Sequence, residues 1–288
     1  MNKKILRQVK KILSFLPDKT YIYLYYFAKY KRFPNLKNPQ TFNEKLQYLK
    51  LNDRKEMYSQ IVDKVLVKSY VADIIGEEYI IPTIGVWDRA EDIDFDSLPE
   101  KFVLKTNHNS GDIVICKNKS TSDVEEMRRQ IEKSLNEDFY SIGREWPYKS
   151  VKRKVLAEPY IIDYETGELR DYKFFCFNGE PKCFKIDFGR IKEHHANYYD
   201  MDGILLPFGE DAFPPLPEKQ LEIPNSIKKM SNLAKKLSSG FPFLRVDFYW
   251  ANNQIFFGEL TLYPASGFGK FTSAEWEYKL GNWLKLPR

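Results

Sequence analysis

The chain has 288 residues, 43% hydrophobic and 16% aromatic, with a formal net charge of +5. That length holds one large domain or two small ones, and so many aromatics among mixed charges exclude disorder. So mild a basic surplus suits a protein that handles an anion, such as a nucleotide or an acidic sugar, and is too weak to imply a nucleic-acid partner.

The first segment is uneven in charge. Through Leu36 it carries Lys3, Lys4, Arg7, Lys10, Lys11, Lys19, Lys29, Lys31 and Arg32 against Asp18 alone. Ile5, Val9, Ile12, Leu13 and Leu16 share one face of a short helix that Pro17 ends. Two readings stay open for this helix: docking on an anionic membrane surface, or packing on the domain with a solvated basic side. No cleavable leader is expected, because charges interrupt the apolar residues and no small-residue cleavage site follows. The apolar run at residues 21–28 falls short of the about 20 residues that a bilayer span needs.

A helix is expected over residues 41–53, where Thr41 and Glu44 have capping-box spacing. A second is expected over residues 56–76, closed by Gly76, and residues 79–87 form a β-rich run. Residues 101–107 and 112–118 read as strands around the turn "HNSG". Residues 120–138 read as a helix with Ser/Thr at its start and Glu125 and Arg129 at i, i+4. Residues 154–162 are a strand ending in a proline-marked bend, and residues 169–189 a hairpin turning at "NGEPK". A helix over residues 223–240 is capped by Asn225 or Ser226 and closed by Gly240; "FLRVDFYW" and "QIFFGELTL" then pair across "ANN". The order is mixed α+β, without the alternation of a doubly wound sheet and without GxGxxG or a P-loop. Cys116, Cys176 and Cys183 show no CxxC and read as reduced thiols of a cytosolic protein. His108, His194 and His195 show no zinc-ligand spacing, which disfavours a zinc enzyme.

Three stretches carry chemistry. In "FVLKTNHNSGDIVI", Lys105 closes an apolar strand, where a buried lysine needs an anionic partner. Asn109, Ser110 and Gly111 follow as a turn able to offer backbone N–H groups to phosphate. In "LAEPYI", Glu158 ends a strand, and Tyr160 and Ile161 follow in a bend whose free backbone groups can meet the edge of a base; a plain strand running into a loop fits as well. In "LRVDFYWANNQIFFGELTLYPASG", Asp247 and Glu259 lie twelve residues apart (259 − 247) across the turn, which brings them near each other on antiparallel strands. Two carboxylates repel unless a cation lies between them, and carboxylate plus phosphate oxygens are the surroundings magnesium prefers. Arg245, two residues before Asp247, shares its strand face. A guanidinium for a transferring phosphoryl beside a carboxylate for metal suits phosphoryl transfer; a structural Arg–Asp–Glu salt bridge is the alternative.

In this order, "TFNEKLQYLK", "DKVLVKSYVADIIGEEYIIPTIGVW", "LPEKFVLKTNHNSGD", "LAEPYI", "RDYKFFCFNGEPK" and "LRVDFYW…FGELTLYPASG" resemble the blocks of the TupA-like ATP-grasp family, over nearly the whole chain after about residue 35. That family is named for a teichuronopeptide biosynthesis protein, and many members lie in capsule or exopolysaccharide gene clusters. The resemblance implies an α+β, ATP-grasp fold: two α+β lobes gripping ATP behind an N-terminal helical extension. Residues 1–40 would be the basic extension, 41–98 an N-terminal α/β part, 99–160 the central subdomain of hairpin plus helix, and 161–288 the C-terminal subdomain with the metal site.

The resemblance also implies roles. Lys64 in "DKVLVK" would meet the α-phosphate, with Lys68 as fallback, and Lys105 would be the second nucleotide lysine. Asn109, Ser110 and Gly111 would belong to the loop that covers the phosphates. Glu158, Tyr160 and Ile161 would form the hinge that holds adenine, with Asp163 or Glu165 near ribose. Of the two catalytic candidates, Lys173 would face the nucleotide from the neighbouring strand and Arg245 would stabilise the transferring phosphoryl; Asp247 and Glu259 would bind Mg²⁺. Thr261 stands where the family's usual metal-binding Asn would be, a weaker neutral ligand that leaves a second metal in question.

The implied reaction is amide ligation: a carboxylate attacks the γ-phosphate of MgATP, and an amine displaces phosphate from the acyl phosphate. The family context points to a uronic acid of a surface glycan and an amino acid as substrates. The implied place is cytoplasmic, with peripheral contact at the inner membrane face if the basic helix docks there. One rival is a metal-dependent glycosyltransferase, for which Asp92–Asp94 or Asp200–Asp202 would be the D-x-D. The other is a glycan-binding module using an aromatic loop at residues 194–203. The acceptor, the amine donor and the oligomeric state stay open.

Overall fold

The structure is a computed structural model that describes residues 15–109, 111, 113–189, 193–219 and 221–287. The amphipathic positions Ile5, Val9, Ile12 and Leu13, and Ser110 of the phosphate-loop expectation, lie outside the described residues.

Two antiparallel sheets dominate. The smaller has the order β1-β4-β2-β3, from β1 (Gly85–Trp87), β2 (Phe102–Thr106), β3 (Ile113–Cys116) and β4 (Val155–Pro159). Side chains alternate along a strand. Phe102 and Leu104 of β2 therefore turn one way, into a core with Val114, Val155, Ala157 and Met127 and Ile131 of the crossover helix. Lys105 turns the other way. That helix (Val124–Leu135) starts at Asp123, whose side chain accepts the Glu126 N–H. Its charge pairs are i, i+3, Arg129 to Glu126 at 2.8 Å and Arg128 to Glu125 at 3.5 Å, instead of the expected Glu125–Arg129 pair.

The larger sheet has the order β7-β6-β5-β8-β9, from β5 (Arg170–Phe177), β6 (Glu180–Phe188), β7 (His195–Tyr199), β8 (Phe243–Ala251) and β9 (Gln254–Thr261). Two of its hairpins turn on Asn178-Gly179 and Asn252-Asn253, all four residues at positive φ. Such turns match the twist of the strands they join. One face is apolar: Phe174, Phe184, Val246 and Phe248 lie under Met230, Leu233, Ala234 and Leu237 of the helix Ile227–Leu237. The other face is charged. A single row across all five strands reads Tyr198, Lys185, Lys173, Asp247, Glu259.

Helices α1 (Asp18–Tyr30), α2 (Phe42–Asn52), α3 (Met57–Val62) and α4 (Leu66–Ile75) precede the first sheet. The capping box of α2 forms as expected, with Thr41 and Glu44 each bonded to the other's backbone. The helix expected over residues 56–76 is divided at Asp63. The Asp63 carboxylate accepts the N–H groups of Val65 and Leu66 and, from β2's end, the Asn107 amide. A side chain that caps a new helix start outcompetes continuation of the old one. The β-rich run at 79–87 yields only β1, because Glu77–Tyr79 forms a 3₁₀ turn and Pro82 offers no ladder donor. Residues 195–199, expected in a loop, are β7, with Ala196 and Tyr198 buried. Helix α1 and the C-terminal helix (Ala274–Trp283) had no period to announce them.

Asp63→Ala removes three hydrogen bonds from a buried site. It is expected to lower unfolding free energy by about 2 kcal/mol. Urea denaturation measures this, and an unchanged midpoint would contradict the capping argument.

Candidate functional site

The charged sides of the two sheets meet at one cavity. Lys64, Lys68, Lys105, Glu158, Tyr148 and Glu259 line it, with Ile81 and Phe257 among its apolar walls. A concave site with apolar walls and a few convergent charges is the usual form of a small-molecule site. Each charge arrives by a local rule. The break before α4 turns Lys64 inward, and its ammonium donates to the Asn109 carbonyl. Lys68 follows one helical turn later. Lys105 and Glu158 face the cavity because their strand neighbours Leu104 and Ala157 face the small core.

Glu158 is 4% exposed and binds two cations, Lys68 at 2.6 Å and Lys105 at 2.6 Å. Burial opposes its ionisation, but the two ammonium groups outweigh burial and hold the carboxyl below its ordinary value. Lys68 also donates to the Ile81 carbonyl at 2.8 Å and the Thr83 hydroxyl at 2.7 Å. Burial pushes the Lys64 ammonium below its ordinary value, with Glu259 and Asp63 acting against it. Three cations thus crowd one small volume beside two acids, a surplus of positive charge suited to a polyanion.

Across the cavity, Arg245 grips Asp247 with two bonds of 2.7 Å and reaches Glu259 at 3.1 Å. Asp247 and Glu259 are direct register partners, so they do lie on one face. Lys173 sits within 2.9 Å of Asp247, 3.2 Å of Asp171 and 3.3 Å of Asp187. Burial opposes the charge of Lys173, but Asp247 and then Asp187 outweigh it and raise the pKa above its ordinary value. Burial favours the neutral form of Glu259, but Arg245, Lys64 and Lys173 bring it down to about 2, so it is ionised at neutral pH. The Thr261 hydroxyl donates to Glu259 at 2.6 Å.

No group of three or more His, Cys, Asp or Glu side chains placed to hold a metal ion occurs among the described residues. Glu259 faces the cavity, and Asp247 stands beside it with both oxygens engaged by Arg245 and Lys173. One or two carboxylates cannot cage a metal alone. They fit magnesium, which takes few carboxylates and completes its shell with water and phosphate oxygens. Asp247 can join such a shell only by loosening one of its cation pairs.

Other expected residues lie elsewhere. The Asn109 amide is buried against Ser134 and Glu137, each at 3.2 Å, and turns away from the cavity. Gly111 stands at φ +96° with open space around its α-carbon. Tyr160 and Ile161 follow β4 outside the cavity lining; the Lys117 ammonium lies 6.0 Å from the Tyr160 ring. Asp163 spends its oxygens on Thr166 and on the Asn252 N–H, tying the bend to the β8–β9 turn. The two acidic triplets close turns: Asp94 accepts the Asp96 N–H, and Asp200 accepts those of Asp202 and Ile204.

Two features went unread in the sequence. One is the Glu158 carboxylate itself, as distinct from its backbone. The other is Glu145. It is 4% exposed and accepts the Ser266 hydroxyl at 2.6 Å. Ser266 belongs to a run of three left-handed residues, Ala265, Ser266 and Gly267, with φ of 47°, 55° and 66°. Such strain persists only where the surroundings over-determine it. Here Lys50 holds the Ser266 and Gly143 carbonyls, and Gln47 holds that of Gly267. Nothing in the local spacing of Glu145 marks it; its partner lies 121 residues away.

The model of the family described as TupA-like ATPgrasp matches residues 44–285. No curated protein matches the chain. Among solved structures, the chain is similar to a D-alanine–D-alanine ligase from Helicobacter pylori, with 17% identity and a TM-score of 0.45 over 79% of this chain and 60% of that one. It is similar to the D-alanine–D-alanine ligase from Bacillus anthracis complexed with ATP, with 16% identity and a TM-score of 0.44 over 79% and 65% of the two chains. It is also similar to the D-cycloserine synthetase DcsG, with 17% identity and a TM-score of 0.38 over 70% and 62%. The chain spans less than two thirds of the length of each.

Burial pushes the Glu145 carboxyl up to about 7, against the Ser266 hydroxyl and Lys50, from an ordinary value of 4.5. Between those values the folded chain binds the extra proton, so stability falls as pH rises from 4.5 to about 7. Glu145→Gln removes that slope. Relative to wild type, it is expected to gain up to about 3 kcal/mol in going from the acid to the alkaline side of this window. Denaturant titrations at both ends measure this; a constant difference would mean that Glu145 is ionised throughout.

Proposed function

The chain belongs to the TupA-like ATP-grasp family, and from that membership we propose that it is an ATP- and magnesium-dependent carboxylate–amine ligase. One observation carries the proposal. Three lysines from two elements and a carboxylate from the opposite sheet converge on one cavity, with an arginine gripping that carboxylate. A triphosphate with its magnesium supplies the phosphoryl group that activates the substrate carboxylate.

The chain's own residues would then do the following. Lys64, Lys68 and Lys105 bind phosphate oxygens, and the pull of Glu158 on two of them sets their positions before ATP arrives. Glu259, with Asp247 beside it and Thr261 bonded to it, holds the magnesium. Arg245 and Lys173 offset the negative charge that grows on the transferring phosphoryl. The bend at Glu158, Tyr160 and Ile161 meets adenine through its backbone. The loop around Asn109, Ser110 and Gly111 covers the phosphates. The central hairpin and the C-terminal sheet act as the two gripping lobes, at boundaries near residues 99 and 161. No side-chain nucleophile is required, because the substrate carboxylate attacks.

For substrates we propose a uronic acid carboxylate of a surface or capsular glycan and an amino-acid amine. This choice rests on the family and on the mild basic surplus. ATP dependence and the buried, unpaired state of Cys116, Cys176 and Cys183 support a cytoplasmic reaction.

In thermal-shift measurements, ATP with magnesium is expected to raise the melting temperature. Lys105→Ala should abolish the shift, and Glu259→Gln should remove its magnesium-dependent part. Stabilisation by UDP-sugars but not by ATP would refute the assignment. In steady-state assays of ADP release, Arg245→Lys keeps the charge but loses the two-pronged grip, and kcat is expected to fall about 100-fold.

A further inference from the structure

Helix α1 is apolar on both sides. Its inner face, Tyr21, Ile22, Tyr25 and Tyr26, is buried against Leu36 and Phe268. A surface helix normally turns charged or polar residues outward. Here the outward face carries Leu24 and Phe27, 41% and 43% exposed. Phe33, 56% exposed, folds back and stacks on Phe27 at 4.7 Å, and Tyr23 approaches it at 6.4 Å. Phe15, 78% exposed, precedes the helix. Large exposed aromatics gathered in one patch mark an interaction surface.

Basic residues outnumber acids around the patch. Lys19, Lys29, Lys31 and Lys37 are basic and belong to the same segment as the aromatics. Among the described residues no ion pair holds these four lysines. Two of the acids nearby are paired, Asp18 by Arg54 at 3.4 Å and Arg144 at 3.6 Å, and Glu44 by Arg32 at 2.5 Å. Lys270 adds a further cation beside Tyr30, 5.7 Å from its ring.

We propose that the Leu24–Phe27–Phe33 patch docks the protein on an anionic lipid surface. No helix among the described residues is long and apolar enough to cross a membrane, so the contact is peripheral. The aromatic rings enter the headgroup boundary, while the lysines meet lipid phosphates. A second protein copy would find like charge facing like charge, which disfavours self-association through this face. The proposal deepens the ligase reading only in where the reaction takes place; it needs neither nucleotide nor substrate, so it stands or fails separately.

The test is co-sedimentation of the full chain with vesicles of phosphatidylcholine alone and of phosphatidylcholine mixed equally with phosphatidylglycerol. Binding is expected to the mixed vesicles only, and to weaken as salt rises. The double variant Phe27→Ser/Phe33→Ser alters exposed side chains and should keep the wild-type melting temperature while losing at least about tenfold in vesicle affinity. Lys29→Gln/Lys31→Gln should lose binding in the same direction. Absence of binding to the mixed vesicles overturns the proposal. So does binding that the double Phe variant leaves intact, which would assign it to residues 1–14 alone. A concentration-dependent dimer that the Phe variant dissolves would assign the patch to a second copy, and also overturns it.

Discussion

Glu158 is the constraint on which the site depends. Lysines 68 and 105 come from a helix and a strand of separate elements, and left alone they would repel each other in a poorly solvated space. One buried carboxylate binds both at 2.6 Å and turns repulsion into a fixed spacing. A buried charge of this kind is costly unless fully paired, so each member of the trio requires the others. The arrangement stores two ammonium groups near where a polyanion would lie. Under the proposed function, an arriving phosphate would compete with the carboxylate for them and would not have to recruit them from solvent.

The same economy holds on the larger sheet. Its charged face pairs acids with cations: Lys173 is shared by Asp171, Asp187 and Asp247, and Arg245 by Asp247 and Glu259. The register of five antiparallel strands sets this pairing, and a slip of one residue in any strand would send its charge into the apolar face beneath. Folding and site assembly are therefore one event on this sheet. The Arg–Asp–Glu contact that would be a simple structural salt bridge in another setting here borders a cavity with three lysines, and that setting favours the functional reading.

The strained loop at Ala265–Gly267 shows how stability is redirected. Its carbonyls are held by Lys50 and Gln47 of α2, and its serine by Glu145. An N-terminal helix thus supports a C-terminal turn, so the regions that flank the sheets belong to the same mechanical unit as the cavity.

Much was legible in the sequence, for local reasons. The capping box at Thr41, the two tight hairpin turns and the antiparallel pairing of Asp247 with Glu259 follow from residue spacing, because period and turn chemistry act over a few residues. The apolar strand that closes on Lys105 announced a buried charge by the same logic. Only the tertiary structure decided which charges meet. The turn of the Asn109 amide to Ser134 and Glu137, the grip of Glu158 on two lysines and the bond of Glu145 to Ser266 all depend on partners 25 or more residues away. The physical reason is that a side chain's secondary-structure preference is set by its neighbours in sequence, whereas the cost of burying its charge is set by whichever group the fold brings within about 3 Å of it.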